Sequence, residues 1–152
     1  MVCGLSMLLL TGCGATIPTD PDGTLGRASG GTLRVGATEN GTWVDVREGA
    51  DPVGTEPELV RSFASNLGAE VEWSTGSEEA LVGDLEEGDL DLVIGGLTAE
   101  TPWSEKAGTT RPYTTGSDEG GATVEHVMLV PRGENRFLLE LDAFLLGADG
   151  PR

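Results

Sequence analysis

From Thr32 onward, short apolar runs alternate with longer segments of helical spacing. Residues 33–37 (LRVGA) are typical of a short strand, and residues 39–54 are predicted as a loop with an extended stretch at 43–46. Apolar residues then recur at intervals of three and four over residues 55–67. This spacing predicts an amphipathic helix with one buried face, which Gly68 ends.

Two helix starts carry capping residues. Thr55 is predicted to cap the first helix, with Glu58 reaching back to it three residues later as in a capping box. Pro57 fits that first turn because its amides have no helical partner. Ser77 is predicted to cap a second helix, which ends near Gly88. The apolar residues of this second helix are Leu81, Val82 and Leu85.

Strands are predicted between and after these helices. Residues 71–73 alternate, and residues 90–94 end in an apolar run typical of a parallel strand covered on both faces. The order strand, helix, strand, helix, strand is typical of a right-handed α/β unit. A strand at 126–130 and a helix over 134–146 follow. The pattern therefore predicts a small α/β sandwich.

The N-terminal segment has a different character. Residues 1–10 are apolar but about half the length of a bilayer span, which is typical of a signal peptide. The tetrapeptide LTGC at 10–13 resembles the lipobox of bacterial lipoproteins. It implies a signal peptide at 1–12, lipidation of Cys13 and an extracytoplasmic, membrane-anchored protein; a plain signal peptide with a chance cysteine is the alternative. Residues 13–31, rich in Gly, Pro, Asp and Thr, are predicted to form a tether.

Composition narrows the possible functions. The chain has 26 acidic and 9 basic residues, a formal charge of −17, which excludes nucleic acid as a partner because its phosphates would be repelled. The cysteines, Cys3 and Cys13, both precede the folded region, so neither a disulfide framework nor a thiolate zinc site is expected. No nucleophile elbow occurs, and the single histidine, His126, is expected to be structural. We therefore predict a protein that is not an enzyme and carries no cofactor or metal.

Several segments in fixed order together carry a family resemblance. They are LRVGAT at 33–38, EPELVRSFASNLGAEVEW at 56–73, LEEGDLDLVIGGLTAETPW at 85–103 and RPY at 111–113. The chain resembles the first lobe of bacterial extracellular solute-binding proteins of family 3, the polar amino-acid type. The resemblance implies a type II periplasmic-binding-protein-like lobe, a three-layer α/β/α sandwich with a mostly parallel sheet. It also implies transport of amino acids with an ABC transporter.

The family has two lobes, and the chain crosses from the first to the second after the Pro-Tyr pair. Here twelve residues, 114–125, separate that pair from the segment that resembles the return to the first lobe. Twelve residues rich in Gly, Thr and acid cannot form a lobe. We expect a single lobe over 32–146, with a loop at 114–125 in place of the second lobe and a tail at 147–152.

Ligands of the family lie at the carboxyl ends of the strands. Two loops are implied to bind them, and in relatives backbone amides and a hydroxyl of the second loop hold the ligand. The residues carried over are Thr38, Glu39, Asn40 and Trp43 in the first loop, Gly95, Gly96, Leu97 and Thr98 in the second, and Glu78, Trp103 and Tyr113 beside them.

One position departs from the family pattern. Five residues after the threonine, relatives usually carry an arginine that grips the ligand's carboxylate, whereas this chain has Trp103, preceded by Pro102. Nearby Lys106 carries a point charge on a flexible side chain, so it cannot replace the two-pronged guanidinium of that arginine. An aromatic wall with Glu39, Glu78 and Glu100 in its vicinity favours a cationic ligand, through carboxylate pairing and cation–π contact.

Two functions follow as hypotheses. In the first, the lobe weakly binds a small polar or cationic solute at the membrane surface, beside an ABC-transporter permease or another membrane protein. Because one lobe leaves its ligand partly exposed, affinity in the micromolar to millimolar range is expected. In the alternative, the lobe is an adaptor or sensor that binds a protein through the open crevice. Trp43, Trp103 and Tyr113 would then be its anchors.

Overall fold

The computed structural model describes residues 19–147. The predicted signal peptide and Cys13 lie outside this range. The helices are α1 (Thr24–Ala28), α2 (Thr55–Leu67), α3 (Glu78–Glu87) and α4 (Asn135–Leu146), and Pro102–Glu105 forms a 3₁₀ helix. The strands are β1 (Thr32–Ala37), β2 (Glu70–Thr75), β3 (Leu92–Ile94), β4 (Gly108–Thr109), β5 (Thr114–Ser117), β6 (Thr123–His126) and β7 (Leu129–Val130). Every helix among the described residues is too short or too polar to cross a membrane.

Five strands form the main sheet, in the order β2-β1-β3-β7-β4. Strand β1 pairs in parallel with β2 and β3, while β7 is antiparallel to β3 and β4. Four of the five strands therefore point in one direction, and only β7 runs the other way. The predicted α/β lobe with a mostly parallel sheet is confirmed, with β7 making it a mixed sheet.

The sheet has a hydrophobic core on each face because its strand residues alternate. Leu33, Val35, Leu92, Ile94 and Met128 face one side, where α1, α2 and α4 cover them. On the other side, α3 covers a smaller core that includes Leu81, Leu85, Val93 and Leu129. This arrangement gives the expected three α/β/α layers.

The start of α2 differs from the predicted capping box. The residue before the helix is Gly54, and no side chain caps this end. One first-turn amide, that of Glu56, instead donates to the Trp43 carbonyl at 3.2 Å. The capping box was wrong because the loop after β1 packs against this end of the helix and supplies the acceptor instead. The predicted Ser77 cap of α3 is confirmed, its hydroxyl accepting from the Ala80 amide at 3.3 Å.

The segment predicted as a tether is folded from Thr19 onward. Helix α1 contacts α4 and β1, with Thr24 and Ala28 buried. The buried Glu134 carboxylate accepts from the amides of Asp22 at 2.9 Å and Thr24 at 3.0 Å. Because this acceptor lies more than a hundred residues away in the chain, local composition gave no sign of it. Residues 19–31 therefore belong to the lobe.

Most of the segment predicted as a loop at 114–125 forms the antiparallel β5–β6 hairpin. Its turn is stabilised by Asp118, whose Oδ1 accepts from the amides of Gly120 at 2.9 Å and Ala122 at 2.8 Å. The strand predicted at 126–130 is correspondingly split. His126 ends the hairpin, and the chain then passes into the main sheet as β7.

A buried carboxylate fixes the amino ends of β1 and β3. Asp91 is fully buried just before β3, and its Oδ2 accepts from the Arg34 amide at 2.9 Å. The guanidinium groups of Arg34 and Arg27 both pair with Oδ1. Since two partly exposed cations and an amide surround it, this charge is fully paired although it is buried.

Asp91→Asn should therefore lower the free energy of unfolding by about 3 kcal/mol, because it leaves two guanidinium groups without their partner. Asp45→Asn is the matched control, since Asp45 also pairs with an arginine, Arg47, but both side chains are exposed. The control should cost less than about 1 kcal/mol. Urea unfolding of the two variants measures both values, and equal losses would contradict this assignment.

Candidate functional site

The loops that follow β1 and β3 meet at the carboxyl end of the sheet. Ala37 and Ile94 are partners in the parallel register, and the Thr38 amide donates to the Ile94 carbonyl at 3.0 Å. A cavity of about 240 Å³ lies between the two loops, and we call it the crevice. Its lining consists of Asn40, Glu78, Gly95, Gly96, Leu97, Thr98, Glu100, Thr101 and Pro102.

A fully buried carboxylate, that of Glu56, holds the second of these loops from below. Its Oε2 accepts from the amides of Gly95 at 2.8 Å and Gly96 at 2.9 Å. Its Oε1 accepts from the Tyr113 hydroxyl at 2.5 Å. Burial raises the pKa of Glu56, while these three donors and His126 oppose that rise. Burial and the neighbouring Glu56 charge raise the pKa of the Tyr113 hydroxyl.

The carbonyl groups of the same two glycines are also bonded within the chain. Asn40 Nδ2 donates to the Gly95 carbonyl at 2.9 Å, and His126 Nδ1 lies 3.2 Å from the Gly96 carbonyl oxygen. All four backbone polar groups of Gly95 and Gly96 therefore face partners in the lobe. Among residues 19–147, the amides of Leu97 and Thr98 and the Thr98 hydroxyl have no hydrogen-bond acceptor. They are the donors of this loop that remain for a ligand.

An aromatic pair packs beside this loop. The rings of Trp43 and His126 lie 4.0 Å apart between centroids. Gly96 has a φ of 63°, and a Cβ there would lie 2.8 Å from Trp43 Cδ1 and 2.6 Å from Asn40 Nδ2. His126 is buried, and its Nε2 has no partner among the described residues. Trp43 and His126 thus pack the loop in place and do not line the crevice.

Trp103 orients a carboxylate of the crevice. The 3₁₀ helix that carries it follows Thr101, whose hydroxyl accepts from the Trp103 amide at 3.4 Å. The indole Nε1 donates to Glu78 Oε2 at 2.9 Å, and the half-buried ring packs against the α3 core. Because Glu78 lies in the first turn of α3, the helix dipole also favours its negative charge.

A second cavity, of about 470 Å³, adjoins the crevice and lies against the β5–β6 hairpin. The two cavities share Thr98 and Glu100. The hairpin contributes Glu125 and Asp118 to the second lining. The segment that connects Tyr113 with the return to the sheet therefore forms a wall next to the crevice.

The structure brings part of the sequence-predicted set together at the crevice. Six of those residues line it, namely Asn40, Glu78, Gly95, Gly96, Leu97 and Thr98. Thr38, Trp43 and Trp103 lie behind this lining, and Tyr113 is buried against Glu56. Glu39 is exposed and stabilises its own loop, its carboxylate accepting from the amides of Gly41 at 3.0 Å and Val46 at 2.6 Å.

Sequence reasoning missed Glu56, which accepts hydrogen bonds from two amides of this loop. A signal was present, because Glu56 lies three, four and seven residues before Leu59, Val60 and Phe63 and so falls on the apolar stripe of α2. A carboxylate on a buried stripe needs buried donors. What the sequence could not supply was the identity of those donors, since they come from residues 39 and 57 positions away.

Residues 33–147 match the family of bacterial extracellular solute-binding proteins, family 3. The chain belongs to this family. The matched residues form a single family 3 lobe. Membership of the family points to an extracytoplasmic location. It also points to a binding role without enzymatic activity. No curated protein sequence matches the chain.

Solved structures share the fold of this solute-binding lobe. The arginine-bound form of domain 1 from TmArgBP has a TM-score of 0.66 and 23% identity, over 79% of this chain and 95% of that one. A point mutant of that domain, also arginine-bound, has a TM-score of 0.69 and 22% identity, over 80% and 95%. An ancestral amino acid-binding protein, a precursor of cyclohexadienyl dehydratase, has a TM-score of 0.65 and 14% identity, over 82% and 91%.

The pH dependence of folding tests the buried state of Glu56. Because burial raises its pKa above the ordinary 4.5, the folded lobe binds this proton more readily than the unfolded chain does. The contribution of this group to stability is therefore lost as the pH rises from 4.5 through the raised value. Glu56→Gln has no carboxyl group to titrate at this position, so its stability lacks this loss with rising pH. Urea unfolding should therefore show the free energy of unfolding of the variant rising relative to that of wild type across that pH window.

Glu58→Gln is the matched control for that experiment, because Glu58 lies in the same turn of α2 but is exposed. Its stability curve should run parallel to that of wild type. A Glu56→Gln curve that also stays parallel between about pH 4 and pH 8 would contradict the assignment.

The shape of the crevice loop depends on a glycine at position 96. Gly96→Ala should be destabilising because it combines a strained positive φ with contacts below 3 Å. Gly88→Ala, with a φ of 82° but nothing within 4 Å, separates the two effects. Thermal unfolding should show that Gly88→Ala lowers the free energy of unfolding by about 1–2 kcal/mol. Gly96→Ala should lower it by at least about 1 kcal/mol more. Equal costs would show that the space around Gly96 is open.

Proposed function

We propose that the lobe is a receptor outside the cytoplasm that binds a small polar cation in the crevice. The observation that carries this proposal is the crevice itself, at the carboxyl ends of β1 and β3 in a family 3 lobe. Its lining offers the Thr98 amide and hydroxyl and the carboxylates of Glu78 and Glu100. These groups can bind and orient a polar solute but form no catalytic constellation. Among residues 19–147, no group of His, Cys, Asp and Glu is arranged to hold a metal ion.

The arginine-bound neighbours support a single lobe as a binding unit. One of them is an isolated domain 1 with arginine bound, and this chain covers 95% of it. Identity below 25% restricts that likeness to the fold, so arginine serves here as the first ligand to test. Without a second lobe, water reaches the ligand on its open side, and we expect affinity in the micromolar to millimolar range.

The proposal extends to how the lobe is held and used. We propose that Cys13 is lipidated after removal of residues 1–12, and that the segment up to residue 18 connects the anchor to the lobe. Two or more acyl chains give stable anchoring where one would not. The solute would then be presented to an ABC-transporter permease. In this reading the β5–β6 hairpin stands where relatives have their second lobe, and the residues after 146 form a tail.

The alternative function, an adaptor that docks a protein in the crevice, receives less support from the side chains. Of its three proposed anchors, Tyr113 is buried and Trp43 is packed against His126. Trp103 is half-buried, and its indole N–H is bonded to Glu78. Hot-spot residues must be accessible before the partner binds. We therefore favour the small solute.

Thermal unfolding of the chain from residue 14 onward, which contains every described residue, tests the function. Arginine and other small cations at 100 times their dissociation constant should stabilise it by about 2.7 kcal/mol, a shift of several degrees. Glutamate should give no shift. Thr98→Ala should remove most of the effect, because it deletes the one hydroxyl of the loop that has no partner in the lobe.

Thr32→Ala is the control for that variant, since Thr32 is exposed at the opposite end of β1 and the ligand shift should persist. Cooperative unfolding without a shift for any small cation would rule out the solute-receptor function. A membrane protein that binds the lobe, and binds variants of the crevice residues less tightly, would then support the adaptor function.

A further inference from the structure

The crevice is acidic beyond what a cationic amino acid requires. Glu78 and Glu100 line it, and Glu125 and Asp118 line the adjoining cavity. No lysine or arginine is among the lining residues of either cavity. The nearest basic residue in sequence, Lys106, lines a different cavity and pairs through Nζ with Glu86 at 3.4 Å. A carboxylate in the crevice would therefore meet only like charges.

Neutral donors that could hold a carboxylate are mostly engaged. The amides of Gly95 and Gly96 donate to the buried Glu56, and the Trp103 indole donates to Glu78. Of the donors at this loop, the amides of Leu97 and Thr98 and the Thr98 hydroxyl remain. Three neutral donors beside two carboxylates do not offset the repulsion that an anionic group would experience there.

We infer that the crevice selects small organic cations without a carboxylate, that is amines and guanidines, over the amino acids with the same cationic group. This inference rests on the proposed function and names the ligand class of that same site. Glu78 is the residue that provides the selection, because Trp103 holds its half-buried carboxylate at the crevice. Glu100 is exposed and screened by water, so it contributes less.

The adjoining cavity extends this inference to ligands with two cationic ends. It shares Thr98 and Glu100 with the crevice, and Glu125 is also among its lining residues. A diamine can place one ammonium group near Glu78 and its chain toward Glu125. The carboxylate of the corresponding amino acid would have to enter the same acidic surroundings.

Matched pairs of ligands test the inference by isothermal titration calorimetry on the chain from residue 14 onward. Agmatine against arginine, putrescine against ornithine and cadaverine against lysine differ within each pair by one carboxylate. Each amine should bind at least about tenfold more tightly than its amino acid, and the ratio should fall as salt is added. Arginine binding as tightly as agmatine would overturn the inference and leave the proposed function intact. Absence of binding by all six compounds would instead count against the proposed function itself.

A protein charge of −17 attracts the doubly charged amine of each pair more than the singly charged amino acid, so paired variants separate this general effect from the crevice. Glu78→Gln should reduce the ratio of amine to amino-acid affinity severalfold. Glu79→Gln removes the same charge one residue away, on an exposed side chain outside both linings, and should leave the ratio nearly unchanged. Equal changes in the two variants would assign the preference to net charge and overturn the role of Glu78.

Discussion

The structure at the carboxyl end of the sheet depends on one buried carboxylate. Glu56 lies in the first turn of α2. Its carboxylate oxygens accept hydrogen bonds from two amides of the loop after β3 and from the hydroxyl of Tyr113, which precedes the hairpin. Its own amide is bonded to the loop after β1. A buried charge is tolerated only when donors surround it, so the three hydrogen bonds to the carboxylate must form together. Helix, loops and hairpin are thereby fixed relative to one another.

The consequence for binding is that the crevice is formed before a ligand arrives. Because Glu56 and the side chains of Asn40 and His126 occupy the backbone groups of Gly95 and Gly96, the loop cannot offer those groups to a solute without breaking bonds inside the lobe. The polar groups that remain free for a ligand are one hydroxyl, two amides and the carboxylates. Preorganisation of this kind lowers the cost of binding, which matters more for a single lobe than for a pair that closes on its ligand.

Charge is distributed differently at the two ends of the sheet. At the amino ends, Arg27 and Arg34 pair with the buried Asp91. These two arginines, Lys106 and Arg132 all line one cavity there. At the carboxyl ends, the cavities are lined by acids without a basic partner. The lobe thus uses several of its few cations for its own stability. Its binding end is left with a negative field that favours cations.

The sequence by itself determined the layered α/β lobe, because period-two and period-3.6 patterns fix which face of each element is buried. It also determined the positions of the two crevice loops, since parallel strands end at the same edge. Tertiary structure alone decided that residues 19–31 fold onto α4, that 114–125 pair as a hairpin, and that Glu56 rather than Thr55 and Glu58 organises the start of α2. The hairpin pairs residues at most twelve positions apart. The other two features depend on partners that lie far away in the chain. Local propensity cannot identify such a partner, and only the folded chain brings it within hydrogen-bonding distance.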